Sequence, residues 1–291
     1  MITDEIVISG KRAMARSYAK INLTLDVLQK RSDGYHDVEM IMQSVSLYDL
    51  IIVDKSNTIS VKTNLHYLPN NDKNIAYKAA DLFFRYTNID GGCKILIHKN
   101  IPVAAGLAGG SGNAAAVLCA LDKLYNTNLS IDELKAIAAN LGADVPYCIM
   151  GGTALSTGIG EILTPLPDIP KCSILLVKPP ISISTRDIYE KIDSANIADR
   201  PDTREIIDAI NTHDIRRISN NLSNVMESVA GEMYPIIGGI KKKMLLNGAV
   251  GACMSGSGPT VFGIFTDYEA AKKSHDSFCY QFKEVYLTSP K

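Results

Sequence analysis

The chain has 291 residues, 46% of them hydrophobic and 21% charged, and its 30 basic and 31 acidic side chains leave a formal net charge of −1. That length buries a substantial core and suggests about two domains. The near-zero charge excludes bulk attraction to nucleic acid or anionic membrane, so any anion binding has to be local and neither partner is expected. The six cysteines stand far apart with no Cys-x-x-Cys pair, which reads as free thiols in a reducing compartment rather than disulfides or zinc ligands. The first twenty residues mix Asp4 and Glu5 with Lys11, Arg12 and Arg16 and hold no continuous apolar run, and no later run is long enough to span a bilayer. A cytoplasmic protein without signal or transit peptide is expected.

Residues 15–27 alternate, with Ala19, Ile21, Leu23, Leu25 and Val27 on one side and Lys20, Asn22, Thr24 and Asp26 on the other. Period two over this length predicts a half-buried strand whose polar face carries Lys20 and Asn22. A Gly-bearing turn, R-S-D-G, follows, with Tyr35 and His36 just past it. Ile51–Val53 and Ile59–Thr63 read as further strands, and 74–87 has helical spacing in Ile75, Ala79, Leu82 and Phe83. After a short strand over 93–98, a Gly/Ala/Ser loop from Pro102 to Gly112 runs into a helix carrying Val117, Leu121, Leu124 and Tyr125. Ser130-x-x-Glu133 is a capping box for a helix to about Asn140. Asp144 alone reads as a helix N-cap, and 142–158 as a turn into a short strand. Prolines 165, 167 and 170 mark the expected domain junction, giving domains over 1–164 and 165–291. Beyond it lie a strand (173–179), a loop through Tyr189, polar helices to about Leu246, and a Gly/Ser turn (251–258) running into an apolar strand. Mixed strand and helix order predicts an α+β protein of two lobes.

Small residues over 102–112 let backbone N–H groups approach an anion, and a helix start adds partial positive charge. No Gly-Lys-Ser/Thr ends the loop, so this is not the Walker pattern; the alternative is a tight turn that packs helix on sheet. Lys20 alone reads as a solvated lysine, and 251–258 alone as an ordinary turn.

Together, three segments resemble the signatures of the GHMP kinase superfamily in order and separation: the strand around Lys20, P-V-A-A-G-L-A-G-G-S-G-N-A-A at 102–115, and M-S-G-S-G-P-T-V-F at 254–262. A-K-I-N-L at 19–23, R-S-D-G-Y-H at 31–36 and G-A-D-V-P at 142–146 are similar to the branch that phosphorylates the 2-hydroxyl of a cytidine-diphosphate-linked methylerythritol in the non-mevalonate isoprenoid route. The resemblance covers nearly the whole chain. One departure is Gly112, where the family usually has a second serine.

The resemblance implies an N-terminal lobe like the second domain of ribosomal protein S5 and a ferredoxin-like C-terminal lobe. It implies ATP as phosphoryl donor, with Mg²⁺, and catalysis by Asp144 as the carboxylate near the accepting hydroxyl with Lys20 as its cationic partner. It implies Asn22 as an orienter of the methylerythritol unit, and cytosine contacts by Tyr35 (stacking), His36 (base edge) and Tyr189 (opposite wall). Asn74 and Lys99 are implied on the adenosine side. The ATP loop would comprise Pro102, Val103, Ala104, Ala105, Gly106, Leu107, Ala108, Gly109, Gly110, Ser111 and Gly112. No carboxylate pair that must bind the metal stands out, so its ligands are left open. A relative acting on mevalonate, homoserine or a sugar leaves the Tyr35–His36 pair without a role. A non-catalytic sensor on the same fold is opposed by intact Lys20 and Asp144, and a nucleic-acid module by the neutral charge.

Overall fold

The computed structural model describes residues 2–195, 197 and 199–291. After a 3₁₀ turn the elements run β1 (Val7–Ser9), β2 (Arg12–Lys30), β3 (His36–Ser56), β4 (Ser60–Thr63), α1 (Ile75–Thr87), β5 (Gly92–His98), α2 (Gly109–Tyr125), α3 (Ile131–Ala139) and α4 (Asp144–Met150). They continue with β6 (Thr153–Thr157), β7 (Ile162–Leu166), β8 (Ser173–Lys178), α5 (Thr185–Ile192), α6 (Thr203–Asn211), α7 (Ile215–Asn220) and β9 (Ser223–Asn224). The last are α8 (Val225–Met233), α9 (Ile236–Leu246), β10 (Gly251–Met254), β11 (Val261–Phe265), α10 (Tyr268–Cys279) and β12 (Glu284–Thr288).

The chain forms two compact units, one of residues 1–19, 48–103 and 108–151, the other of residues 20–47, 104–107 and 152–291. The long strands β2 and β3 therefore each give one part to each unit.

In the first unit β5 pairs antiparallel with β3 (Leu50 opposite His98) and parallel with β4. Helices α1, α2 and α4 pack together, burying Phe83, Val117, Leu118, Leu121 and Ile149. Asn74 starts α1 by accepting from the Ala76 N–H, and Ser130 and Glu133 form the expected capping box of α3.

In the second unit β6 pairs with β3 (Met40 opposite Ser156) and with β7. A separate antiparallel sheet in the order β10-β11-β8-β12 is buried through its centre at Leu175, Leu176, Phe262 and Ile264. Helices α9 and α10 pack on it.

The structure corrects several expectations. The alternating strand is buried on both faces, because the polar side chains find partners: Ile41 N–H donates to Thr24 Oγ1 at 3.2 Å, and Arg200 meets Asp26 at 2.6 Å. Residues 51–53 are the end of β3 rather than a strand of their own. Residues 109–112 form the first turn of α2 and not its preceding loop. Asp144 is the first helical residue of α4, with Ala143 as N-cap, and 145–150 continue that helix where a turn was expected. The second half of the segment expected as a loop through Tyr189 is α5, and residues 251–254 are strand β10.

Candidate active site

The Gly/Ala loop owes its shape to backbone, not side chains. Ala104, Gly106 and Ala108 all have positive φ (50°, 72° and 53°), while Ala105 and Leu107 between them do not. Left-handed backbone costs an alanine about 1 kcal/mol, and alternation of hand turns successive N–H groups inward as an anion nest. Such strain is characteristic of functional loops. At the helix end of the loop, Ala108 gives α2 no side-chain cap, and the first intrahelical bond runs from Gly112 N–H to Ala108 C=O at 2.8 Å. The N–H groups of Gly109, Gly110 and Ser111 are thus available to an anion.

Within the second unit, three of the expected segments come together. Lys20 N–H donates to Leu107 C=O at 3.2 Å, and Ser255 Oγ donates to Gly106 C=O at 2.9 Å. A Cβ on Gly106 would overlap the Ser255 carbonyl oxygen, and one on Gly256 would lie 3.2 Å from Gly106 O and 3.5 Å from Lys20 Nζ. Glycine is required at 106 by this close approach, and at 256 a tight contact adds to a positive φ of 57° that favours it. Lys20 Nζ donates to Asn22 Oδ1 at 2.6 Å, and Asn22 Nδ2 meets Met40 Sδ at 3.2 Å, so a buried ammonium and a buried amide orient one another.

Sequence reasoning missed what holds the 254–258 loop. Asn224 Nδ2 donates to Met254 C=O and Gly256 C=O, both at 2.8 Å, while its Oδ1 caps α8. Glu227 accepts from Met254 N–H at 2.7 Å. Asn224 is legible in the sequence only as a helix cap.

The same unit holds a cavity of about 410 Å³ lined by Tyr35, His36, Thr185, Arg186, Tyr189 and Asp193 among others. Tyr35 is 60% exposed, its turn held by Arg31 N–H to Tyr35 C=O (2.7 Å) and by Asp33 accepting from Tyr35 N–H (3.0 Å). His36 and Tyr189 are stacked, with ring centroids 4.6 Å apart and 18° between planes, too close for a base to enter between them. His36 Nε2 lies 2.6 Å from Asp193 Oδ1, and Lys30 pairs with the other oxygen. Hydrogen bonds from Lys30 first and His36 second hold the Asp193 carboxyl below the usual carboxylate range.

The first unit holds the other expected residues. Asp144 opens α4. Asn74 is committed to local structure, donating to Pro69 C=O at 2.8 Å while capping α1. Lys99 is buried: its ammonium pairs with Asp49 and donates to Asn113 Oδ1 at 3.2 Å. Asp49 also accepts from Asn100 N–H (2.7 Å), Ile101 N–H (2.8 Å) and Asn113 Nδ2 (2.8 Å), a fully satisfied carboxylate at the root of the loop. A Cβ on Gly109 would lie 3.0 Å from the Lys99 ammonium. A Cβ on Gly112 would fall 2.5 Å from Ser17 Oγ and 3.3 Å from Tyr18 C=O, so a serine there requires the Ser17 hydroxyl to move.

A strained nest leading into an uncapped helix, a second glycine loop bonded to it and a buried lysine beside both define a small-molecule kinase of the GHMP type. The family models for the GHMP kinase N-terminal domain and C-terminal domain match residues 74–152 and 206–284, and the chain belongs to this family. Within it the chain is 50% identical, over 95% of its length and 96% of the relative's, to a 4-diphosphocytidyl-2-C-methyl-D-erythritol kinase of Alkaliphilus oremlandii. It is 47% identical to the one of Clostridium novyi, over 94% of this chain and 98% of that protein. A crystal structure of 4-(cytidine 5'-diphospho)-2C-methyl-D-erythritol kinase matches with a TM-score of 0.80 and 29% identity, covering 95% of this chain and 98% of that one. Homoserine kinase from Cytophaga hutchinsonii, at 18% identity and a TM-score of 0.75 over 97% of this chain and 96% of its own, shares the fold. Among the described residues no helix is long and apolar enough to cross a membrane.

Proposed function

We propose that this chain transfers the γ-phosphoryl group of ATP to the 2-hydroxyl of 4-diphosphocytidyl-2-C-methyl-D-erythritol. The observation that carries the reading is the convergence of Lys20, the 104–107 nest and the 254–258 loop in one unit. The near-full-length identity to relatives of that name gives it its substrate.

The triphosphate is held by backbone N–H groups of the nest and of the first turn of α2, with Ser111 adding a hydroxyl. Asn74 and Lys99 act on the ATP side through the helix starts they support. Asp144 takes the proton of the accepting alcohol as the bond to phosphorus forms. Lys20 supplies positive charge for the transferring group, and Asn22, whose carbonyl already holds that ammonium, orients the methylerythritol unit. Mg²⁺ would screen charge on the phosphates. Among the described residues no group of three or more His, Cys, Asp or Glu side chains is arranged to hold a metal, which fits an ion held largely by phosphates and water with one or two protein oxygens.

The exposed Tyr35 ring offers a stacking face to the cytosine, and His36 its edge. A base in the plane of the His36 ring is also parallel to Tyr189, which makes that ring a wall of the site. We place the change from N-terminal to C-terminal lobe near residue 164, inside the interval 153–205 that neither family model covers. The cytoplasm, whose reducing conditions suit six free cysteines, is the proposed compartment. The test is ³¹P NMR of the reaction: a new phosphomonoester signal with the diphosphate bridge intact supports the reading, and ATP hydrolysis without that signal contradicts it.

A further inference from the structure

Resting on the cytidine reading above, we propose that Asp193, braced by Lys30, is a specificity-determining residue: it fixes the proton of His36 on Nε2, leaving Nδ1 as an acceptor that selects the 4-amino group of cytosine over the 4-carbonyl of uracil. The argument starts from the pair itself. His36 Nε2 lies 2.6 Å from Asp193 Oδ1. An ionised carboxylate accepts only, so the nitrogen facing it carries the hydrogen, and in the neutral ring the other nitrogen then holds a lone pair.

The side chain of His36 is only 7% exposed, yet among the described residues Nδ1 has no hydrogen-bond partner. An unpaired acceptor on a side chain that lines a cavity is open to a donor from a ligand. The stack on Tyr189 holds the plane of the ring, and the bond to Asp193, which a ring turned over about Cβ–Cγ would lose, holds Nε2 where it is.

Lys30 completes the device. Its ammonium meets the second oxygen of Asp193 at 2.5 Å, so the carboxylate orients the imidazole while its charge is already balanced. The other charged groups lining the cavity, Arg186 and Glu190, are paired with each other at 2.8 Å and add little net field. A cytidine 4-amino group donates to Nδ1, whereas a uridine 4-carbonyl sets two acceptors against each other. Sites built around such a polar pair can reject the mismatched analogue strongly.

Asparagine at 193 presents both a donor and an acceptor, so it accommodates either tautomer and no longer chooses. The experiment measures kcat/KM for the cytidine substrate and its uridine counterpart in wild type, Asp193→Asn, His36→Ala and the double variant, together with KM for ATP. Wild type should prefer cytidine, and Asp193→Asn should cut that preference by about 5- to 10-fold, the scale of one hydrogen bond, without moving KM for ATP. In the His36→Ala background the Asp193 change should have no further effect on the ratio, because it acts through the imidazole. Ring ¹⁵N NMR of the wild type supplies a direct reading: Nε2 should show the protonated, pyrrole-type shift and Nδ1 the unprotonated one. A cytidine preference that survives Asp193→Asn, or a proton found on Nδ1, overturns this inference alone. A wild type that turns over both bases equally overturns the cytidine reading with it.

Discussion

Gly110 separates the fold's interest from the site's, because the two predict opposite signs for one methyl group. It is the second residue of α2, it is exposed, and a Cβ there would meet only Ile75 Cγ2 at an ordinary 3.7 Å. For folding, Gly110→Ala relieves the entropy that glycine costs a helix, about 0.5–1 kcal/mol, so the variant should melt about 1–3 °C higher. For ATP the same methyl is an obstacle. Helical Cα–Cβ bonds tilt toward the helix N-terminus, which is where the phosphates are proposed to sit. Pushing an oxygen off a charge-assisted N–H bond removes about 1.5–3 kcal/mol, so KM for ATP should rise at least about 10-fold while KM for the alcohol stays put. The chain has no tryptophan, so melting is best followed by circular dichroism, alongside steady-state ADP release at varied ATP. A more stable protein with unchanged KM for ATP would show that no phosphate approaches this turn.

Asp144→Asn should lower kcat about 10²-fold or more with the melting temperature nearly unchanged; a folded variant of near-normal kcat removes Asp144 from the chemical step. Gly112→Ser should destabilise by about 1–3 kcal/mol through overpacking against Ser17 Oγ, and adding Ser17→Ala should restore part of the loss in denaturant titration. Additive losses would mean that the two side chains do not compete for one space. Burial pushes the Cys93, Cys119 and Cys172 thiols up to about 12 and Cys253 well above the ordinary value, so all four stay protonated and unreactive through about pH 9. A thiol reagent should therefore label Cys279 quickly in the native protein and all six cysteines in denaturant; fast native labelling at a second site contradicts the burial.

Local signals carried far into this molecule. The period-two alternation located β2, and Ser130 with Glu133 located the start of α3, because each depends on neighbours in the chain. The resemblance in the Lys20, 102–115 and 254–262 segments led to the fold and to the family, which both family models match. What stayed hidden is long-range or conformational. No pattern reveals that the polar face of β2 is buried, since that depends on Arg200, far along the chain, reaching Asp26. The positive φ of Ala104 and Ala108 is invisible in a residue that normally avoids it. Asn224, Asp49 and Asp193 look like common polar residues until folding brings the 254–258 loop, the root of the Gly/Ala loop and His36 against them. At Gly112 the sequence shows only a departure from the family's usual serine, and not that a Cβ there would stand 2.5 Å from Ser17 Oγ.

The central claim, a kinase for a cytidine-diphosphate-linked alcohol, is tested most directly by a coupled ADP-release assay over a panel of acceptors at saturating ATP. The panel holds 4-diphosphocytidyl-2-C-methyl-D-erythritol, methylerythritol phosphate, homoserine and mevalonate. The account predicts that kcat/KM for the first exceeds each of the others by at least about 10³-fold, because only it engages both the Tyr35–His36 cavity and the phosphoryl-transfer residues. Comparable turnover of methylerythritol phosphate, or faster turnover of homoserine or mevalonate, would contradict it.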